Sequence, residues 1–182
     1  MLTHGAAPLR VFFALWPDAA ARERLAELAR DVVRQAGGRA SRPADHHLTL
    51  AFVGEVAPAR IAALERIGAK AAREAAPFVL TLDRLGGFHR TGIGWLGAGA
   101  APPELGRLVV ALRAGLAAAA FAVEEPPFRA HVTLARRCGA VAPATIDPIA
   151  WRVERAKLTA SELRPEGSRY RDLAWWPLTG VA

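Results

Sequence analysis

The chain has 182 residues, enough for one domain with a sizeable apolar interior. Its only cysteine, Cys138, excludes an intramolecular disulfide framework and the multi-cysteine zinc patterns, and suits a reducing cytoplasm. The formal charge of +7 favours polyanionic partners such as nucleic acid, but the cations are nearly all arginine and alanine abounds, as a GC-rich coding sequence would give, so local placement must decide.

No run approaches the ~20 apolar residues of a membrane span, and Met1-Leu2-Thr3-His4 lacks the charged-then-apolar profile of a secretory signal. Residues 9–16 form a β-branched and aromatic run closed by Pro17-Asp18, which predicts a buried strand and then a helix start. Leu25, Leu28, Val32 and Val33 recur at helical spacing until Gly37-Gly38 ends the pattern. Pro43-Ala44-Asp45 turns the chain into a second strand, 46–54, closed by glycine, and a helix follows over 58–75.

Residues 78–85 and 92–97 read as two further strands joined by a loop at 86–91. A third helix is expected over 103–121 from its alanine and leucine content, and Pro126-Pro127 breaks the chain ahead of a strand at 128–136. The remainder, 151–163 and 170–178, alternates apolar and polar residues across Pro165-Glu166-Gly167-Ser168, a closing hairpin. No linker separates the halves, so one domain over 1–182 is expected.

One pattern occurs twice. His47-Leu48-Thr49-Leu50 and His131-Val132-Thr133-Leu134 share it, one copy in each half. Alternation along a strand puts His47 with Thr49, and His131 with Thr133, on one face, while Leu48, Leu50, Val132 and Leu134 point to a core. If a pseudo-two-fold axis relates the halves, two imidazoles and two hydroxyls look into one cleft. A single His-x-Thr in a strand is ordinarily a half-buried polar pair; the repetition favours chemistry.

Displacement at phosphorus needs a base for the attacking oxygen and an acid for the leaving one, and imidazole, with a pKa near 6.5, serves as either. Threonine hydroxyls can hydrogen-bond the non-bridging oxygens, where charge concentrates in the transition state. Neither copy sets a carboxylate or cysteine at ligand spacing, which argues against zinc. His46 falls on the other face, solvent-facing or behind the pair; His89 lies in a surface loop and His4 in the terminus.

These residues resemble the two-histidine phosphoesterase superfamily, and within it the RNA 2′,3′-cyclic phosphodiesterases once described as 2′-5′ RNA ligases. The resemblance runs through Arg10-Val11-Phe12-Phe13-Ala14-Leu15-Trp16-Pro17, both tetrads with the residues that follow them, Trp95-Leu96-Gly97, and the tail from Ser161 to Tyr170. It implies a bilobal α+β fold: two antiparallel sheets related by a pseudo-two-fold axis around a central cleft, helices outside.

It also implies hydrolysis of 2′,3′-cyclic phosphate ends to 2′-phosphate without metal or cofactor, by a monomer in the cytoplasm acting on RNA ends or small cyclic-phosphate nucleotides. By the same resemblance His131 is the general base, His47 the general acid, and Thr49, Thr133 and Arg136 hold the phosphate. Ligation of 2′-5′ ends, the reverse reaction, and a catalytically silent RNA- or nucleotide-binding module are the alternatives.

Two points pull against the pattern. Arg136 stands at an odd offset from His131, so a regular strand would turn it away from the cleft unless a bulge intervenes. Ala130 stands where similar proteins have proline. Base stacking would fall to Phe12, Trp16, Phe88, Phe128 or Tyr170.

Overall fold

The computed structural model describes residues 7–122, 127–165 and 167–181, so His4, Pro126 and Glu166 lie outside the described residues. β1 (Leu9–Leu15) is followed by α1 (Ala19–Ala36), whose first turn is capped by the Asp18 carboxylate accepting from the Ala21 amide at 2.8 Å. Gly37, at φ 69°, ends α1 in a backbone conformation glycine adopts freely. Then come β2 (Arg39–Ala40), β3 (Leu48–Val56), α2 (Ile61–Ala72), β4 (Phe78–Phe88), β5 (Ile93–Gly97), α3 (Pro103–Ala118), β6 (His131–Arg136), β7 (Ala144–Val153), β8 (Arg155–Arg164) and β9 (Gly167–Pro177).

The α+β class is as expected, with every strand pairing antiparallel. The two expected sheets, however, are one, in the order β7-β4-β5-β6-β3-β1-β8-β9 with β2 alongside β6. The join is narrow. β6 and β3, the two histidine-bearing strands, meet through the single pair Leu48 and Val132. Both side chains are fully buried in a core with Leu25 of α1, Leu64 of α2 and Leu105 of α3, so the helices cover that face and leave the other open. α1 packs on β6 and β7, α2 on β8 and β9, and α3 on β3 and α2.

Three departures have physical causes. β4 continues through Gly86 and Gly87, read from the sequence as loop, because Gly86 passes beneath Trp95: a Cβ there would lie 2.5 Å from the indole. The segment containing Trp151 belongs not to the closing hairpin but to β7, which pairs with β4; Pro148 sits within it, tolerated because β7 is an edge strand and the register shifts beside it. The hairpin itself is β8 with β9. α2 and α3 end earlier than expected, at Ala72 and Ala118, and 58–60 forms a 3₁₀ turn.

Candidate active site

Opposed residues in an antiparallel pair project to the same face. With Leu48 opposite Val132 in the core, the register sets His47 opposite Thr133 and Thr49 opposite His131 on the open face. The surface agrees: His47 and Thr133 line one recess, and Thr49 and His131 line the next. Each imidazole therefore neighbours the other copy's threonine, a crossing that neither tetrad discloses alone.

Both rings are held the same way. His47 Nδ1 lies 2.6 Å from the Asp45 carbonyl, and His131 Nδ1 lies 2.7 Å from that of Arg129, in each case two residues earlier. A carbonyl only accepts, so Nδ1–H donates and Nε2 is left to carry or take the working proton. The Asp45 turn is itself tied down: the Arg42 guanidinium forks onto the Asp45 carboxylate at 2.7 and 3.0 Å and donates to the Ser168 carbonyl at 3.0 Å.

The surroundings of the two rings differ. His47 is enclosed by Phe12, Trp16 and Tyr170, with ring centroids 4.9 to 5.1 Å away. Burial pushes its pKa below the ordinary histidine value; the bond to the Asp45 carbonyl opposes this, while the positive charge of Arg136 and of a protonated His131 adds to it. His131 has Phe88 edge-on at 5.3 Å and Trp95 at 6.3 Å. The five stacking candidates thus divide: Phe12, Trp16 and Tyr170 pack on His47, whereas Phe88 and Phe128 line recesses beside His131.

Arg136 does reach the cleft, by the bulge its offset required. Trp95 pairs with Thr133 and Gly94 with Ala135, so Leu134 is the extra residue of β6. Leu134 and Ala135 are both buried, the alternation resets, and Arg136 returns to the side of Thr133, lining the recess with His47. β3 repeats this device: Ala14 pairs with Thr49 and Phe13 with Ala51, leaving Leu50 over. Phe52 therefore occupies the step in β3 that Arg136 occupies in β6, and it lines the recess of Thr49 and His131. Phe52 escaped the sequence reading, although its offset from His47 equals that of Arg136 from His131.

Of the two expectations for His46, the structure excludes the solvent-facing one: it is buried, 1 % exposed, and neither ring nitrogen has a partner among the described residues. Burial, the dominant influence, lowers its pKa to about 4. His89 is exposed, as expected. At Ala130 the hydrogen bond made is to its carbonyl, from the Ala98 amide at 3.2 Å, which proline would accept equally. Among the described residues, no three His, Cys, Asp or Glu side chains cluster as metal ligands.

A family model described as LigT-like phosphoesterase matches residues 15–95, which include the first tetrad. The RNA 2′,3′-cyclic phosphodiesterase of Escherichia coli (strain K12) is 32% identical over 176 residues, 94% of this chain and 98% of that protein. The protein of the same name from Thermus thermophilus is 32% identical over 182 residues, 94% of this chain and 91% of that one. The crystal structure of E. coli LigT complexed with 3′-AMP matches with a TM-score of 0.85 at 31% identity, covering 94% of this chain and 99% of that one. Identity sustained over nearly the full length of both partners, joined to the paired tetrads on one open sheet face, makes this chain a member of the LigT-like phosphoesterase family.

Proposed function

We propose that the chain is an RNA 2′,3′-cyclic phosphodiesterase that opens the cyclic phosphate to a 2′-phosphate. The carrying observation is that both imidazoles, pinned through Nδ1 by the carbonyl two residues before them, sit on adjacent strands of one face with no hydrogen bond at Nε2 from any described residue. In this reading His131 takes a proton from water as its oxygen attacks phosphorus. The P–O3′ bond breaks, and His47 gives its proton to O3′. Thr49 and Thr133 donate hydroxyl hydrogen bonds to the non-bridging oxygens, and the Arg136 guanidinium offsets their charge.

The acid role of His47 makes a demand. Its lowered pKa favours the neutral ring in the empty cleft, so the bound phosphate anion must raise it. The two imidazoles and Arg136 supply the proton transfers and the charge stabilisation, so the scheme calls on no metal or cofactor. Residues 1–182 are read as one domain, which the continuous sheet supports. The protein acts as a monomer in the cytoplasm; no described helix is long and apolar enough to cross a membrane.

The test is an oligonucleotide ending in a 2′,3′-cyclic phosphate, incubated with the protein in EDTA. Turnover should persist, and His47→Ala and His131→Ala should each lower it roughly 10²–10⁴-fold, the usual worth of a positioned acid or base. Loss of activity in EDTA would overturn the metal-free scheme; full activity in both variants would overturn the two-histidine one.

A further inference from the structure

The cleft is chemically lopsided. On the side of His47 and Thr133, five arginines (39, 42, 136, 137 and 164) meet a single described carboxylate, Asp45. On the side of His131 and Thr49, four aromatic rings, Phe52, Phe88, Trp95 and Phe128, line the surface together with Arg84, Arg113 and Arg129. Some of the arginine charge is already matched. Arg42 is bound to Asp45, and Arg164 donates to Glu162 at 3.0 Å. Arg136 and Arg137 form no ion pair with any described residue, and Arg136 is assigned above to the reacting phosphate. Arg137 has no assignment, though it stands next along the same rim.

Its backbone is unusual. Arg137 has φ 57°, a left-handed conformation that side-chain-bearing residues seldom adopt and that persists only where the surroundings impose it. They do so from both sides. The Cys138 amide donates to the Gly92 carbonyl at 2.9 Å and the Gly139 amide to the Ala36 carbonyl at 2.7 Å, while Gly38 lies so close that a Cβ on it would come within 2.8 Å of the Arg137 carbonyl. The turn after β6 is thereby clamped between the end of α1 and the β4–β5 connection, so Arg137 lines the arginine recess from a fixed backbone.

A strand ending in a 2′,3′-cyclic phosphate can continue only on its 5′ side, and what it carries there is a phosphodiester. Stacking requires an aromatic face and a phosphodiester requires a cation. We propose that the aromatic recess receives the terminal base, and that Arg137, with Arg164 beside it, holds the phosphodiester immediately 5′ of the reacting nucleotide. The site then selects oligoribonucleotide ends over mononucleotides. This rests on the phosphodiesterase reading and extends it to the substrate's length.

Product-like ligands decide it. Adenosine 2′-phosphate and ApAp with its terminal phosphate likewise on O2′, which adds one 5′ phosphodiester, are titrated by calorimetry against the full chain, Arg137→Ala and Arg137→Gly over a range of salt concentrations. The glycine variant accepts φ 57° without strain, so it separates loss of charge from damage to the turn. Wild type should bind ApAp more tightly, with log affinity falling against log salt more steeply by about 0.7, the increment for one further phosphate of a single strand. Both variants should cut the ApAp advantage roughly fivefold or more and remove the added slope.

No ApAp advantage in wild type, or a loss in the variants that is equal for the two ligands, would overturn the subsite. Turnover of adenosine 2′,3′-cyclic phosphate and of the corresponding cyclic-ended dinucleotide is measured separately. Failure of both reactions in wild type would sink the phosphodiesterase reading, while the ligand comparison would still decide whether Arg137 holds a phosphodiester.

Discussion

Arg136 and Phe52 stand at the same step of two strands, each five residues past a histidine and each returned to the cleft face by a bulge at the preceding leucine. One device presents two chemistries. The guanidinium lies beside His47 and Thr133, and the phenyl ring lies beside Thr49 and His131 with the Arg10 guanidinium 4.8 Å from its centre.

The two residues should fail differently. Charge grows on the non-bridging oxygens as the transition state forms, so Arg136→Ala should lower kcat on the order of 10²-fold. Phe52 touches what does not change during reaction, so Phe52→Ala should raise KM several-fold with kcat nearly intact. Steady-state kinetics on a cyclic-ended dinucleotide separate these outcomes, and a kcat loss in Phe52→Ala matching that of Arg136→Ala would remove the distinction.

Acid and base can be told apart by the leaving group. Sulfur in place of the bridging 3′ oxygen departs as a thiolate and needs no proton, so it relieves an enzyme lacking its acid but not one lacking its base. With His47 as acid, the cost of His47→Ala should shrink to under about tenfold on the sulfur substrate, while that of His131→Ala remains. The reverse pattern would exchange the two roles. Because burial holds His47 low in the free enzyme, the basic limb of kcat/KM should fall below the ordinary histidine value near 6.5, and that of kcat should lie higher once the phosphate anion is bound.

His46 should govern stability in mild acid. Its folded pKa, about 4, lies below the unfolded value near 6.5, so below 6.5 the unfolded chain takes the proton first. Its contribution is therefore complete above about pH 6.5 and is lost progressively as pH falls to about 4, amounting to about 3 kcal/mol over that window. The half-buried neighbour His47 acts in the same direction. Urea midpoints at pH 7.5 and pH 4.5 should differ less in His46→Phe than in wild type; an equal difference would show that other groups carry the acid sensitivity.

The shared face of the two tetrads was legible because its signals are local. Period-two alternation located Thr49 and Thr133 on the histidines' face, and a repeated tetrad needs no knowledge of pairing. What escaped depends on pairing across the sheet: that His47 would neighbour Thr133, that Leu50 and Leu134 would bulge, and that β3 and β6 would fuse two lobes into one sheet. Alternation set His46 on the face of Leu48, but whether that end of the face is closed or open to solvent depends on what packs over it. Gly86-Gly87 read as loop because the contact that selects glycine at 86, Trp95, comes from another strand.

Glycines in the helices set propensity against packing. Gly106 in α3 has open space where a Cβ would stand, so Gly106→Ala should gain the usual helix preference of about 0.5–1 kcal/mol. Gly68 in α2 gains the same preference on paper, but its Cβ would lie 2.3 Å from the Trp176 indole of β9, against which α2 packs. The ring is partly buried and flanks Phe13, with centroids 6.3 Å apart, so it cannot withdraw without disturbing the core. Overpacking of this kind costs about 1–3 kcal/mol, which exceeds the gain. Thermal melting should therefore rise in Gly106→Ala and fall in Gly68→Ala, and a rise in both would mean that α2 and β9 are not packed as closely as the indole contact requires.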